Sequence, residues 1–123
     1  MVDWATLAGR LDADGEFRVA ARHWNATLRL DVGADSHAIR FQEGRVVGVE
    51  PCAPGLACDV FVSAPAEVWD QMLRTAPRPF YHDFFMAQLH HGLMMNPDFL
   101  DYAAYYPALR RLLEVLRESR GQG

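Results

Sequence analysis

Residues 60–73 read VFVSAPAEVWDQML, and within this stretch the hydrophobic pattern changes from that of a strand to that of a helix. The run at 59–62 is short, β-branched and aromatic, as strands are. Ser63 can then cap a helix that tolerates Pro65 in its first turn. The apolar residues that follow recur at helical spacing and form one face: Val68, Trp69, Met72 and Leu73. We therefore predict a strand followed by a helix that ends near Thr75.

The first half of the chain predicts one helix and a series of strands. Apolar residues recur at helical spacing from Asp3, the predicted N-cap, to Leu11, and Asp14-Gly15 ends this helix. Apolar and polar residues alternate over 17–23 and again over 28–32, which predicts strands with one buried face. The same alternation covers 37–42 and 45–50, and Glu43-Gly44 between them is typical of a tight hairpin turn. We predict an antiparallel meander, which the 59–62 strand joins at an edge or beside a distant strand.

The second half of the chain predicts two more helices around a short strand. Residues 80–91 form an aromatic helical pattern that Gly92 ends. Residues 93–95 are apolar and predict a short closing strand. A long helix is predicted from Phe99 to Arg120, with a kink or break before Pro107. Its predicted inward face consists of leucines at helical spacing: Leu109, Leu112, Leu113 and Leu116.

Length and composition predict one globular domain that covers residues 1–123. Half of the 123 residues are apolar and 23% are charged, as in ordinary folded proteins. The net charge is −4, and the chain contains no lysine. Its clustered C-terminal arginines alternate with Glu114 and Glu118 on one predicted helix, so we expect a self-paired surface and no nucleic-acid partner.

The sequence also suggests where the chain works. It contains no run of about 18 apolar residues and no signal-peptide pattern at its start, so we predict no stable membrane insertion and a cytoplasmic location. Cys52 and Cys58 lie in a Pro/Gly loop, with a spacing that fits neither a thioredoxin-type pair nor half of a zinc ribbon. The two could close a small ring, but in a reducing cytosol we expect free thiols.

The order of elements and two local motifs resemble the sterol-carrier-protein-2-like family. The first motif is the junction at 60–73, where a small polar residue ends the strand and a Trp-x-x-x-Leu helix follows. The second is Gly92-Leu93-Met94-Met95 before the last helix, with Asn96-Pro97 in place of the family's second glycine. The resemblance covers about residues 15–118. It implies an α+β fold in which an antiparallel sheet of about five strands is backed by helices around an apolar cavity.

Bulky apolar side chains are concentrated between residues 80 and 106. They can simply be core, but methionines beside aromatic rings also form an adaptable wall for an irregular ligand. With the resemblance, this predicts the binding or transport of a fatty-acyl, sterol or terpenoid-like molecule in a pocket between the sheet and the helices. The predicted ligand-binding residues are Trp69, Met72, Phe80, Tyr81, Phe84, Phe85, Met86, Leu89, Met94, Met95, Phe99 and Tyr102.

The histidines near the second predicted helix support an alternative, enzymatic hypothesis. His82, Asp83 and Tyr102 are candidates for proton transfer in a small lyase, isomerase or hydrolase that acts on an apolar substrate. Adjacent residues of a helix point about 100° apart, so His82 and Asp83 are not a preassembled pair. His82, His90 and His91 lack the spacing of metal ligands, so we predict no metal and no other cofactor.

A third hypothesis treats the chain as an interaction module. Exposed aromatic residues of the 80–106 segment could then dock a partner enzyme or a second copy of the chain as a homodimer. Native mass spectrometry separates this hypothesis from ligand binding, because a co-purifying apolar molecule indicates a carrier and an empty dimer indicates a docking module.

Overall fold

Except for residues 17–23, the alternating segments of the sequence form one sheet, and the helical segments pack mainly on one face of it. The computed structural model describes residues 2–96 and 99–122, apart from the side chains of 99–104, 121 and 122. The elements are α1 (Trp4–Ala13), α2 (Gly15–Ala20), β1 (Ala26–Val32), β2 (Asp35–Gln42), β3 (Arg45–Pro51), β4 (Val60–Ala64), α3 (Ala66–Met72), α4 (Phe84–His91), β5 (Met94–Asn96) and α5 (Phe99–Gln122). None of the described helices is long and apolar enough to cross a membrane.

Strands β1, β2 and β3 form the predicted antiparallel meander. Leu28 of β1 lies opposite Ile39 of β2, which in turn lies opposite Val49 of β3. The hairpin between β2 and β3 turns at Glu43 and Gly44, both of which have positive φ, as a tight hairpin turn requires. The prediction of this hairpin is confirmed.

Strand β4 lies beside β1 and runs parallel to it, whereas β5 is antiparallel to β4. The strand order is β3-β2-β1-β4-β5, so β4 takes the second of the two predicted places, beside a strand distant in the sequence. The sheet is thus mostly antiparallel with one parallel pair. Val62 of β4 lies between Leu30 and Met95 of its neighbours, and side chains directly opposite share one face.

The predicted strand over residues 17–23 is wrong, because α2 occupies residues 15–20. Helix α1 does end at Asp14, as predicted, but Asp14 also caps this second helix, since its carboxylate accepts the N–H of Phe17 at 2.8 Å. Phe17 is buried, whereas Val19, which alternation assigned to the same face, is 62% exposed. Phe17 and Ala21 are both buried because they are one helical turn apart.

Helix α3 is shorter than predicted at both ends. Ser63 belongs to β4 and does not cap the helix, and Pro65 is the residue that precedes its first turn. The helix ends at Met72 rather than near Thr75. Arginines of α5 satisfy carbonyl groups at this end: Arg117 donates to the carbonyl of Met72 at 2.9 Å.

Helix α4 starts at residue 84 rather than 80. Asp83 sets this start, because its carboxylate accepts the N–H of Met86 at 2.7 Å as an N-cap. Gly92 ends the helix in the left-handed conformation, with a φ of 74°, and β5 follows; both were predicted.

Helix α5 continues through Pro107, so the predicted break does not occur. The loss of one backbone hydrogen bond at a proline costs about 3 kcal/mol, but each leucine buried beyond it contributes about 1.5–3 kcal/mol. The predicted inward face is confirmed, since its four leucines are all buried. The N-cap predicted at Asp3 is confirmed in position only. Helix α1 starts directly after Asp3, but the Asp3 side chain makes no capping hydrogen bond.

A two-pronged ion pair ties α5 to the junction of α1 and α2. Nη2 of Arg111 lies 2.6 Å from Oδ2 of Asp14, and Nε lies 3.1 Å from Oδ1. Chiefly through this hydrogen bonding, Arg111 lowers the pKa of Asp14, and the N–H of Phe17 adds to the effect while burial opposes it. Asp14 therefore serves two elements at once.

Replacing Asp14 by alanine is expected to lower the free energy of unfolding by about 2 kcal/mol, because both the cap and the ion pair are lost. Asp14→Asn keeps an oxygen for the cap but removes the charge. Since the pKa of Asp14 is lower in the folded chain, its charge stabilises the fold above the unfolded pKa, and this contribution disappears as the pH falls through the folded pKa. Denaturant titrations should show the difference between the natural chain and Asp14→Asn shrinking below about pH 4. A difference independent of pH would contradict this assignment.

Candidate ligand-binding site

Trp69 lies at the centre of the region predicted to bind a ligand. Only 1% of its surface is exposed, and its indole N–H donates to the backbone carbonyl of Asp31 at 2.9 Å. The apolar face that the sequence predicted for this helix therefore points inward, and the indole lies buried at the boundary of sheet and helix. Asp31 is in β1, so this bond fixes α3 against the middle of the sheet.

Phe84, the first residue of α4, covers Trp69. The two rings meet edge to face with centroids 5.8 Å apart, which is a favourable geometry for aromatic pairs. Phe84 and Ala87 form the inner face of α4 and are buried. The point at which we predicted the pocket is therefore occupied by two rings in contact, and a ligand there has to separate α4 from α3.

The outer side of α4 is also apolar. Phe85 and Met86 are half-buried, and Leu89, one helical turn after Phe85, is 61% exposed. A surface helix ordinarily carries charged residues on its outer face. Between residues 84 and 91 the sequence FFMAQLHH contains no carboxylate, lysine or arginine.

Residues 79–81, which precede α4, pack against two histidines at the end of this helix. The ring of Phe80 stacks on His90 at 3.9 Å, and the ring of Tyr81 stacks on His91 at 3.6 Å. Nε2 of His91 also lies 3.2 Å from the carbonyl oxygen of Pro79. Residues 79–81 therefore fold back along α4 and reach its C-terminal end.

The predicted ligand-binding residues differ in solvent exposure and fall into three classes. Three are buried: Trp69, Met72 and Phe84. Four are half-buried: Tyr81, Phe85, Met86 and Met95. Three are exposed: Phe80, Leu89 and Met94. The side chains of Phe99 and Tyr102 lie outside the described part of the chain. Ligand contact by these residues stays a prediction.

Two residues of the enzymatic hypothesis form structural hydrogen bonds, Asp83 through its side chain and His82 through its backbone. Asp83 caps α4, as shown above. The backbone carbonyl of His82 accepts a hydrogen bond from Arg117 at 3.3 Å, and its side chain is exposed. Tyr102, the third candidate, has its side chain outside the described residues. Within residues 2–96 and the described part of α5, no group of three or more His, Cys, Asp or Glu is arranged to hold a metal ion.

The sequence did not predict a groove that runs along α2. One cavity of about 600 Å³ lies between α2 and α5 and includes Val19, Arg22 and Pro107 in its lining. A second, of about 500 Å³, shares Arg22 and extends to Trp24 and Tyr105. Both cavities depend on α2, whose alternating residues led to the prediction of a strand. The sequence signal for a helix at this place was Asp14, a residue type that commonly caps helices. Trp69 and Phe84 line neither of these cavities.

The face of the sheet opposite to the one that carries Leu28 and Leu30 has a polar cluster beneath the loop at residues 52–58. Arg29 pairs with Asp31 at 3.1 Å, donates to the carbonyl of Leu56 at 2.8 Å and lies over the ring of Phe61. Cys52 and Cys58 are half-buried free thiols, as expected. Burial raises the pKa of Cys58, which favours the protonated thiol over a nucleophilic thiolate.

Comparisons with known proteins identify the architecture. No protein-family model and no curated protein sequence matches the chain. Solved structures do match. The crystal structure of sterol carrier protein 2 has 20% sequence identity and a TM-score of 0.77, with 96% of each chain covered. The solution structure of a conserved protein from Thermus thermophilus, described as a possible sterol carrier protein, has 20% identity and a TM-score of 0.73, with 94% of this chain and 85% of that chain covered.

A third structure, titled UbiJ-SCP2 ubiquinone synthesis protein, has 19% identity and a TM-score of 0.55, with 96% of this chain and 88% of that chain covered. All three matches span nearly the whole chain, including the helix–meander–helix order on which the sequence resemblance rested. The chain therefore has the α+β fold of sterol carrier protein 2.

Proposed function

We propose that the chain binds and carries an apolar small molecule, of fatty-acyl, sterol or terpenoid type, between α4 and the Trp69 side of α3. The observation that carries this proposal is a helix, α4, with apolar residues on both its inner and its outer side. The fold supports it, since one of the matched structures is named for carrying sterol. The cytoplasm is the compartment that we propose for this activity.

The connections of α4 are suited to opening. Gly92 follows the helix, and a glycine can change its backbone conformation at little cost. Arg117 holds the connection between α3 and α4 in place, because its guanidinium donates hydrogen bonds to the carbonyls of Met72 at its start and His82 near its end. Burial lowers the pKa of Arg117, which reflects the cost of holding a charge at this place.

Opening of α4 exposes an adaptable apolar wall. Trp69 lies beneath Phe84, Met72 is a buried residue of the same helix α3, and Met86 is half-buried on α4 itself, so the wall combines flexible thioethers with a rigid ring. Each ligand methylene buried against this wall contributes about 0.8 kcal/mol. A chain of about ten methylenes therefore supplies enough free energy to offset the separation of two aromatic rings.

A long-chain apolar ligand is expected to change the fluorescence of Trp69, because it displaces Phe84 from the indole edge. Trp69→Phe should remove most of the ligand-dependent change, while Trp4→Phe and Trp24→Phe should keep it. The measurement is tryptophan emission during titration with a fatty acid, a sterol and a terpenoid alcohol.

Two results would contradict the proposed site or function. A signal that disappears with Trp24→Phe instead places the ligand in the groove along α2, which Trp24 lines. Carriage itself is contradicted if the tryptophan emission changes with none of the three ligands and native mass spectra show no co-purifying apolar molecule.

A further inference from the structure

The surface around α2 combines an exposed apolar side chain with arginines. We define this α2 surface by five residues: Arg18, Val19, Arg22, Pro107 and Arg110. Val19 is 62% exposed, and Pro107 and the three arginines are exposed as well. A single exposed valine is ordinary on a protein surface, so its surroundings decide whether it has a function.

Three grooves meet at the α2 surface. The cavity of about 600 Å³ between α2 and α5 includes Val19 and Pro107 in its lining. A further cavity of about 370 Å³ lies between α2 and the hairpin turn at Glu43-Gly44, and Val19 lines it too. Arg22 lines both of these and the cavity of about 500 Å³ that extends to Trp24. The grooves therefore form one elongated surface along α2 rather than a closed pocket.

The charge of these grooves is opposite in sign to that of the whole chain. Their lining contains four arginines and two glutamates, a net charge of +2, whereas the chain has a net charge of −4. Arg111 is already paired with Asp14, which leaves the three exposed arginines of the α2 surface for a partner. Arg110 also lies 3.6 Å from Glu114, but an exposed pair of this kind is weak. The grooves thus favour an anionic occupant.

The α2 surface is held in place by contacts on its inner side and at its ends. Phe17 anchors α2 in the core, and Arg111 joins the start of this helix to α5 through Asp14 at 2.6 Å. Nη1 of Arg22 donates to the carbonyl of Val19 at 2.6 Å, which fixes the guanidinium at the end of the helix. A preformed surface loses little conformational freedom on binding, so a few contacts can provide affinity.

We propose that the α2 surface docks an acidic amphipathic helix of a partner protein. Aliphatic side chains of that helix cover Val19 and enter the groove beside Pro107, and its carboxylates pair with the three arginines. A helix packs into a groove between two helices by the same geometry as in a protein core, and arginine is enriched at protein interfaces. A small ligand needs enclosure over most of its surface, which a wall with a 62% exposed valine does not provide.

Selection from a displayed library of helical peptides tests this surface in the full chain. The library randomises the outward positions of a helix of about three turns, and the natural chain is the target. We expect the enriched peptides to carry several glutamates or aspartates beside aliphatic residues one turn apart. Enrichment of basic or purely polar peptides, or no enrichment at all, would overturn the proposal.

Fluorescence polarisation with the most enriched acidic peptide then locates the binding site. Val19→Ser should weaken binding about tenfold, because an aliphatic contact is lost. The double variant Arg18→Gln/Arg110→Gln should also weaken it about tenfold at low ionic strength and much less at high ionic strength, because salt screens exposed ion pairs.

Matched controls separate the α2 surface from the rest of the molecule. Val47→Ser removes a valine that is 59% exposed, and Arg74→Gln/Arg78→Gln removes two exposed arginines; none of these residues lines the three grooves. Both variants should bind the peptide as the natural chain does, and equal losses in them would contradict docking at α2. A dimer in sedimentation equilibrium that Val19→Ser converts to a monomer would assign the surface to a second copy of the chain and overturn the proposal.

Docking at α2 goes beyond the proposed carriage and does not rest on it. Trp69 and Phe84 line none of the three grooves, so the acidic peptide should leave the ligand-dependent emission of Trp69 unchanged. An apolar ligand that displaces the peptide would instead assign the grooves to that ligand and would overturn docking. Peptide binding without a fluorescence response to apolar ligands refutes carriage alone.

Discussion

Replacing Trp69 by alanine is expected to lower the free energy of unfolding by about 4 kcal/mol, because truncation of a buried tryptophan removes a large apolar surface and leaves a cavity. The side chain is 1% exposed and connects three elements: its own helix α3, the carbonyl of Asp31 in β1 and the ring of Phe84 in α4. The loss should therefore loosen α4 as well as α3.

Two further tryptophan variants show what the indole contributes. Trp69→Phe keeps an aromatic ring but leaves the carbonyl of Asp31 without the indole donor, so we expect a smaller loss of about 1–2 kcal/mol. Trp4 is half-buried and stacks on His37, so Trp4→Ala should cost less than Trp69→Ala. Urea titrations monitored by circular dichroism measure all three. Equal costs for Trp69→Ala and Trp4→Ala would show that Trp69 is not the central packing residue described above.

Gly44→Ala is expected to lower the free energy of unfolding by about 3 kcal/mol, through backbone strain and a steric clash. Gly44 has a φ of +78°, and an added Cβ would lie 2.6 Å from the carbonyl oxygen of Ala21 and 2.8 Å from Cα of Arg22. Both contacts are with backbone atoms, which cannot rotate away. The hairpin between β2 and β3 would have to move off the end of α2.

Gly9→Ala is the matched control for this substitution. Gly9 lies within α1, and an added Cβ meets nothing within 4 Å. Alanine there should raise the free energy of unfolding by about 0.5–1 kcal/mol, because glycine is a poor helix former. Thermal and urea denaturation of both variants provide the measurement. A neutral Gly44→Ala would mean that the hairpin does not contact α2 as closely as the structure shows.

Local patterns were sufficient for much of the fold. The hairpin at Glu43-Gly44, the end of α4 at Gly92 and the inward leucines of α5 each depend on residues within about one or two turns, so periodicity and turn chemistry predicted them. The same patterns failed for α2. Six residues are too few for the helical period to stand out from alternation, and only the cap at Asp14 distinguishes the two.

The candidate site was predicted in part. The helical stripe that contains Trp69 is enough to predict a buried indole, and the density of aromatic residues after Phe80 is enough to predict an apolar region. The pattern did not predict that Asp83 caps a helix, because the N–H of Met86 becomes a free donor only once α4 starts at residue 84.

Apart from α2, the sequence by itself determined the types of element, most of their order and the apolar faces of the helices, because these depend on contacts between residues close in the chain. The tertiary structure alone decided that β4 pairs with β1 in parallel, that the carbonyl of Asp31 meets the indole of Trp69, and that Phe80 and Tyr81 fold onto His90 and His91. These contacts join residues up to 38 positions apart. Their formation depends on how whole elements pack around one core, and local periodicity carries no information about that packing.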